Sequence, residues 1–313
     1  MLSKLKNYLR SHTKYGKSRY LNFLFQYDMR RYFRYSSMDR NSDEVQIETE
    51  IRLLIHSIEK ALSLPAARPG YDNYCKLQNC KNAKEIDALV FGTIHAYIAF
   101  QKACCPEFDL EFIPPRFRDV QANGCAGVSS DSLCDFSNLT FSDFAMSRHS
   151  LRYYGSLPIQ IETIKKAVSL AQTAPSACNR QPTHVYACVN TEKIDTIMAF
   201  HGGMKGFGRP QAILAVTGAL GSYTSEYERN TVHVDCGLFA MNLLYALHYY
   251  GLATCPIIWG SEPDNDKKIR KILDIPECET VALLITVGSY PADSYRFAKA
   301  QRKETNTVFD VIN

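Results

Sequence analysis

The stretch Val234-Asp-Cys-Gly-Leu-Phe-Ala-Met-Asn-Leu-Leu-Tyr-Ala-Leu-His-Tyr-Tyr-Gly-Leu252 decides how the chain is read. It lies in the longest uncharged run of the sequence, Cys236 to Ser261. A membrane helix needs about 20 predominantly apolar residues. Here the dense apolar part stops near Leu247, and Asn242, His248, Gly251 and Pro256 interrupt the run. The spacing predicts a helix over Val234–Tyr250, buried inside a globular protein and ended by Gly251.

The flanking segments supply layers to bury it. Ile161 to Ala171 is amphipathic, with Ile161, Ile164, Val168 and Ala171 on one face and Lys165 and Lys166 off it. Val185–Val189, Ala212–Thr217 and Thr280–Val287 read as strands, the last apolar enough to be central. Asp264 is placed to cap a helix running to Leu273. Together these predict a helix-rich α+β layered unit over residues 141–313. Upstream, Val45, Ile47, Ile51, Leu54, Ile55, Ile58 and Leu62 recur at helical spacing over 43–62, with Asp43 as the cap. Ala83–Cys104 is a second helical stretch, and Pro65–Gly70 between them is a loop. Phe108–Asp143, with Pro114-Pro115 and many Ser and Asp residues, reads as irregular. The boundary falls near residue 140, after a mainly helical unit of residues 1–140.

Of 313 residues, 46% are apolar and 22% are charged, which excludes a disordered, collagen-like or coiled-coil chain. The net charge of +4 is uneven: residues 1–40 hold ten Lys/Arg and two Asp/Glu. Bases and aromatics interleave there, from Tyr8 and Arg10 through Arg19, Tyr20 and Phe23 to Phe33 and Arg34. Three readings fit this arm. Its aromatics can pack on the body while its bases face water, it can lie on an anionic membrane surface, or it can bind nucleic acid. The first is favoured, and no nucleic-acid partner is expected. Met1–Arg10 has no apolar core of a secretory signal, so the eleven cysteines point to free thiols in a reducing cytoplasm. Six of them fall between Cys75 and Cys134 without any C-x-x-C, so no metal site is expected.

Two segments carry chemistry. Ser147-Arg-His-Ser-Leu-Arg152 sets two guanidiniums and a hydroxyl within five residues, a grip for a phosphate or polyol, or else a basic surface turn. Ala174-Pro-Ser-Ala-Cys-Asn-Arg-Gln-Pro182 joins small residues, which let a planar ligand approach the backbone, to the polar Ser176, Asn179 and Gln181. It is otherwise a plain helix-to-strand loop. Gly202-Gly-Met-Lys-Gly-Phe-Gly208 is followed by Arg209-Pro210, so it is not a phosphate loop with Lys-Ser/Thr. No dinucleotide fingerprint, G-x-S-x-G or H-E-x-x-H is present.

The order of these motifs carries more than any one of them. An R-x-S-x-R segment lies about 25 residues before the A-P-S-A-x-N-x-Q-P loop. The 234–252 helix, Ala253-Thr-Cys-Pro-Ile257, a strand ending Val287-Gly288 and a basic C-terminal segment follow. Over about residues 141–313 this resembles the FMN-dependent nitroreductase family.

The resemblance implies a three-layer α+β nitroreductase-like fold with a helical N-terminal extension. It implies bound FMN, NAD(P)H as donor and a small acceptor of nitroaromatic, quinone or enone type, reduced by ping-pong hydride transfer without a protein nucleophile. It further implies a homodimer with two FMN sites at its interface.

Residue by residue, Arg148, Ser150 and Arg152 match the phosphate- and ribityl-contacting segment, with His149 where a second arginine is common. Arg302 is the best match for a C-terminal phosphate-binding base, with Lys299 and Lys303 as alternatives. Lys205 falls about where a lysine sits near the pyrimidine ring. Pro256, Ile257, Ile258 and Trp259 match the segment giving a backbone N–H to flavin N5, although an acid and a glycine are common at the last two positions. Trp259 either stacks over the flavin or fills core. Pro175, Ser176, Ala177, Asn179 and Gln181 form the loop that approaches the partner's flavin.

The segment His56-Ser-Ile-Glu-Lys-Ala-Leu-Ser63, then Arg68-Pro-Gly-Tyr71, is similar to an extension fused ahead of nitroreductase domains in some bacterial polysaccharide gene clusters. His56, Glu59 and Lys60 share one helical face, which either lines a site or is a solvated ion-pair face; the second is favoured. The rival to an enzyme is a flavin-binding or flavin-free accessory module of a membrane-associated, polysaccharide-related assembly docked through residues 1–40.

Overall fold

The computed structural model describes residues 13–35, 44–64, 71–80, 86–104, 128–131, 135–260 and 262–312. The expected loop at 65–70, the Asp43 cap and most of the irregular 108–143 stretch lie outside them.

Among the described residues four helices come first: α1 (Lys14–Tyr35), α2 (Glu44–Leu62), α3 (Tyr71–Gln78) and α4 (Asp87–Cys104). The last three share a core of Ile51, Ile55, Ile58, Tyr74, Leu77, Val90, Ile94 and Tyr97. Its α2 members recur at the spacing of one helix face. The Tyr74 and Tyr97 rings stack at 4.3 Å between centroids.

Lys14–Tyr35 of the arm forms the helix α1; of its described aromatics Tyr20 packs edge-on against Tyr227, but the others do not pack on the body as expected. Tyr15, Phe23, Phe25 and Tyr27 are more than half exposed. These rings are spread around the helix, so no single face can bury them. Asp28 instead pairs with Arg229 at 2.8 Å, and the Tyr20 hydroxyl meets that of Tyr227.

A short strand, β1 (Val128–Asp131), precedes the second unit. Its elements are α5 (Phe141–Ser147), α6 (Ile161–Ala171), β2 (Thr183–Cys188), α7 (Thr191–His201), β3 (Ala212–Ala219), α8 (Thr231–Tyr249), β4 (Leu252–Ile258), α9 (Pro263–Leu273), β5 (Glu279–Ser289) and β6 (Tyr295–Ala298). Strands β2-β3-β5-β4 form an antiparallel sheet in that order, and β1 pairs with β6.

Every residue of β3 from Ala212 to Gly218 is buried, because helices cover both faces of the sheet. Leu214 and Val216 pack with α6 and α8, while Ile213 and Ala215 pack with α7 and α9. That is the period-2 alternation of a strand between two apolar layers. Leu243 and Leu247 on α8 are wholly buried, where truncation to alanine costs about 2–5 kcal/mol. At Gly218 the helix rides so close that a Cβ would lie 2.5 Å from Val232 Cγ2. The helix ends as predicted, with Gly251 at φ +73°.

Three local expectations are corrected. Asp264 does not cap α9: Glu262 stands at the N-cap, Pro263 opens the helix, and Asp264 lies in the first turn near the dipole's positive end. The segment after α8 is a strand, masked in the sequence by Pro256. Proline is tolerated there because β4 is an edge of its sheet. Helix α7 went unread, although Asn190 caps it through a bond to Lys193 N at 3.0 Å.

Candidate functional site

The segment 148–152 leaves α5 and runs along the free edge of β4. Ser150 bridges Thr254, and Leu151 N donates to Thr254 O at 2.9 Å. In an antiparallel ladder a residue's N–H and C=O share a side, and sides alternate along the strand. The backbone of Thr254, Pro256 and Ile258 therefore faces this outer edge, which spares the missing N–H of Pro256 from the β5 ladder.

His248 anchors the start of the segment. Ser147 Oγ donates to Phe144 O at 3.0 Å, so His248 Nε2–H donates to Ser147 Oγ at 2.8 Å. The Tyr290 hydroxyl then donates to His248 Nδ1 at 2.8 Å. The ring is fully buried and neutral: desolvation, aided by Arg148 and His149, brings its pKa down to about 3. His149 stacks on Phe297 at 3.4 Å between centroids.

Beyond this anchor, cations converge. Arg152 is 7% exposed. Its Nη1 donates to Ser150 O and its Nη2 to His56 Nε2, both at 3.3 Å, and its buried Nε has no partner among the described residues. Buried Arg148 Nη1 has none either. Burial lowers the Arg148 pKa, and neighbouring Arg302 lowers it further. Cys255 lies beneath, its thiol pushed up by burial while Arg152, Lys60 and Arg148 oppose that rise and Ser150 bonds it.

The N-terminal unit reaches the same place. Lys60 Nζ donates to Gly203 O at 3.2 Å, and both Lys60 and Arg152 lie over the Phe207 ring. A cavity of about 170 Å³ is bounded by His56, Glu59, Ala300 and Arg302 among others. Glu59 is 2% exposed, so the solvated ion-pair face expected of His56, Glu59 and Lys60 is not what folds. The i, i+3, i+4 spacing was right, but the face is solvated only in part: Glu59 is buried, while His56 stays exposed and Lys60 half-buried, and both also reach the second unit.

The loop after α6 is a separate construction. Cys178, Asn179 and Gln181 all have positive φ (51°, 55° and 49°), a conformation uncommon outside glycine. Three anchors hold it: Asp235 Oδ1 accepts Ala177 N at 3.0 Å, Ser176 Oγ accepts Gln181 N at 2.9 Å, and Arg180 pairs with Glu228. Pro175, Ser176, Gln181, Asp235 and Phe239 border a cavity of about 130 Å³.

The sequence comparisons cover this second unit. The profile of the nitroreductase family matches residues 145–216 and 200–289. An Archaeoglobus fulgidus protein named for NADH dehydrogenase and NAD(P)H nitroreductase is 30% identical over 158 residues, 49% of this chain and 87% of its own. The chain belongs to the nitroreductase family. It is an oxidoreductase. A solved nitroreductase structure from Parabacteroides distasonis is 22% identical, with 54% of this chain and 95% of that one covered and a TM-score of 0.47. A Staphylococcus epidermidis structure named for NAD(P)H:FMN oxidoreductase is 19% identical, covering 58% and 98%, with a TM-score of 0.49.

Within this member of the nitroreductase family, the structure brings Arg148, Ser150, Arg152 and Arg302 together. Lys299 and Lys303 lie on the same C-terminal segment, Lys303 paired with Glu48 at 2.9 Å. Lys205 is exposed, on the loop whose Gly203 carbonyl meets Lys60. The Pro175–Gln181 loop borders the other cavity. Ile257 is buried in the sheet's core, while the Ile258 side chain is 82% exposed. Trp259 packs beside Phe200 and His201. His201 Nε2 donates to Ile258 O at 3.0 Å and fixes the backbone at that point.

Sequence reading missed Asp235, His248 and His201. Asp235 was visible as the acid directly before the uncharged run, and His248 as a polar group near the helix stop. Nothing in the sequence pointed to His201. No helix among the described residues is long and apolar enough to cross a membrane, and no three metal-binding side chains converge among them. Cys105, Cys125 and Cys134 lie outside the described residues.

Proposed function

We propose that this protein is an FMN-dependent oxidoreductase. It takes reducing equivalents from NADH or NADPH and passes them to a small organic acceptor of nitroaromatic, quinone or enone type by a ping-pong route. One observation carries the reading: Arg148 Nη1 and Arg152 Nε are buried without partners, in a cluster that also holds Arg302. Buried guanidinium nitrogens without acceptors are costly, and a dianionic phosphate beside them removes that cost. The donor set fits a phosphate monoester.

Arg148, Ser150 and Arg302 would hold the phosphate end. Arg152 would lie where the phosphate joins the ribityl chain, within reach of both. The outward-facing Ile258 amide on the β4 edge would donate to the flavin ring, steadied by the His201 bond to its carbonyl. The strained 175–181 loop would enclose the site of a second protomer, as the resemblance implies. The chemistry supplied by bound FMN is two-electron transfer, from the nicotinamide donor to the acceptor that replaces it.

The exposed face of α8 supports a homodimer. One face of that helix is buried, yet Val234, Leu238 and Met241 on another are 59%, 45% and 38% exposed. A helix apolar on both faces needs cover on both. Sedimentation should give twice the chain mass, and Leu238→Arg should give monomers. Exposed Phe23, Phe25 and Tyr27 beside the bases of α1 support a membrane-surface contact. Deleting residues 1–35 should then abolish binding to anionic liposomes.

The visible spectrum of purified protein tests the central reading. A yellow protein releasing about one FMN per chain, bleached by NADH or NADPH under argon, supports it. A colourless protein that takes up no added FMN overturns it. An FMN protein that neither donor bleaches returns the chain to the accessory role.

A further inference from the structure

Helix α2 belongs to a unit outside the matched nitroreductase segment, yet it places two basic side chains, a neutral histidine and a lysine, in the cluster. His56 accepts from Arg152 at 3.3 Å. Lys60, one turn on, shares the Phe207 ring with Arg152. Two acids stand nearby, and one of them, Glu59, borders the same cavity as His56 and Arg302. Glu48 holds Arg52 at 2.5 Å and Lys303 at 2.9 Å, and Glu59 accepts the Ala300 amide at 3.4 Å.

The charges acting on these two groups are mainly positive. Burial depresses the pKa of both, Arg152 lowers both further and Lys60 adds to the effect on His56, while Cys255 pulls Lys60 the other way; no carboxylate figures in either balance. Arg148 is likewise depressed by Arg302. Three arginines and a lysine crowd this junction beside a neutral histidine, and an anion among them relieves their mutual repulsion. Arg302 and His56 border the same cavity, so the anion there would touch both units.

We propose that His56 and Lys60 are ligands of the FMN phosphate, so that the N-terminal helical unit completes the cofactor site. This rests on the FMN reading above and adds to it that the extension is part of the binding machinery. Two consequences follow. Cofactor affinity depends on α2, and the bound phosphate ties the two units together, because it replaces repulsion with charge-assisted hydrogen bonds on both sides.

The test measures the affinities of apo-protein for FMN and for riboflavin, which lacks the phosphate, by flavin fluorescence. It compares wild type with His56→Gln, Lys60→Gln and the double variant. Far-UV circular dichroism and apo melting temperature report folding, and Lys60→Arg tests rescue by a retained charge. Each Gln variant should lose about ten- to a hundred-fold in FMN affinity, the range for a charged hydrogen bond. Riboflavin affinity should be unchanged, and Lys60→Arg should stay within a few-fold of wild type.

Equal loss for both flavins, or no loss for either, overturns the proposal. If wild type takes up no FMN, the cofactor reading falls separately. The α2 site then stands only if orthophosphate raises the melting temperature of wild type and not of the double variant.

Discussion

The Asp235 carboxylate accepts the Ala177 amide at 3.0 Å and joins the first turns of α8 to the left-handed loop at Cys178–Gln181. Its second oxygen accepts the Tyr223 hydroxyl at 2.8 Å. One buried acid thus holds a loop whose backbone costs energy to hold. Asp235→Ala should lower stability by about 1–3 kcal/mol, since two donors lose a charged acceptor. Hydrogen exchange at Ala177 should quicken while exchange in β3 keeps its rank. Unchanged protection at Ala177 would sink the anchor.

The cation cluster makes the opposite prediction for stability. Arg148→Met and Arg302→Met keep the apolar stems and remove charges that repel. The apo-protein should melt at the wild-type temperature or above it. FMN affinity should fall about ten- to a hundred-fold per arginine. A variant pair that is folded and still yellow would remove these residues from the site.

Much of this was legible in the sequence because it is local. The α8 run, the amphipathic α6 and the apolar β5 announce themselves by period and length, and the 148–152 and 174–182 motifs by residue type. What stayed hidden depends on partners far apart in the chain. Pro256 breaks a strand pattern, and only its place on a sheet edge explains why it is tolerated. His56 and Lys60 looked like a solvated face, since nothing in α2 says that Arg152, nearly a hundred residues on, lies opposite. Three non-glycine residues at positive φ cannot be read from A-C-N-R-Q, because Asp235 and Arg180 hold them.

Acid should unfold the protein in a window set by histidine. The unfolded His248 titrates near 6.5 and the folded one at about 3, so below 6.5 the unfolded state binds a proton that the native state refuses. The stability this gives is present above 6.5 and is lost as pH falls toward 3, with a slope approaching about 1.4 kcal/mol per pH unit. His56 and His201, both depressed, add in the same sense. Glu228, held at about 2 by Arg180, keeps its contribution down to the ordinary carboxylate pKa and loses it only as pH falls from there toward 2. Denaturant titrations at pH 7, 6 and 5 should show falling stability, and His248→Gln should reduce the slope by close to one proton. An unchanged slope would show that His248 is not the group.

FMN binding should carry a pH signature of its own. In the free protein His56 is held below its usual pKa by desolvation and by the charges of Arg152 and Lys60, and Arg52, Glu59 and Arg302 border the same cavity. A phosphate dianion reverses the balance and favours the imidazolium, so binding takes up a proton. Affinity must then strengthen as pH falls from 8 toward 6.5. Below about 6 the phosphate itself protonates, and the gain reverses. His56→Gln should flatten the rise between 8 and 6.5, and riboflavin should show none in either protein. Isothermal titration in buffers of different ionisation enthalpy counts the proton directly. A count of zero for wild type would mean that His56 stays neutral in the complex and donates, if at all, only as imidazole.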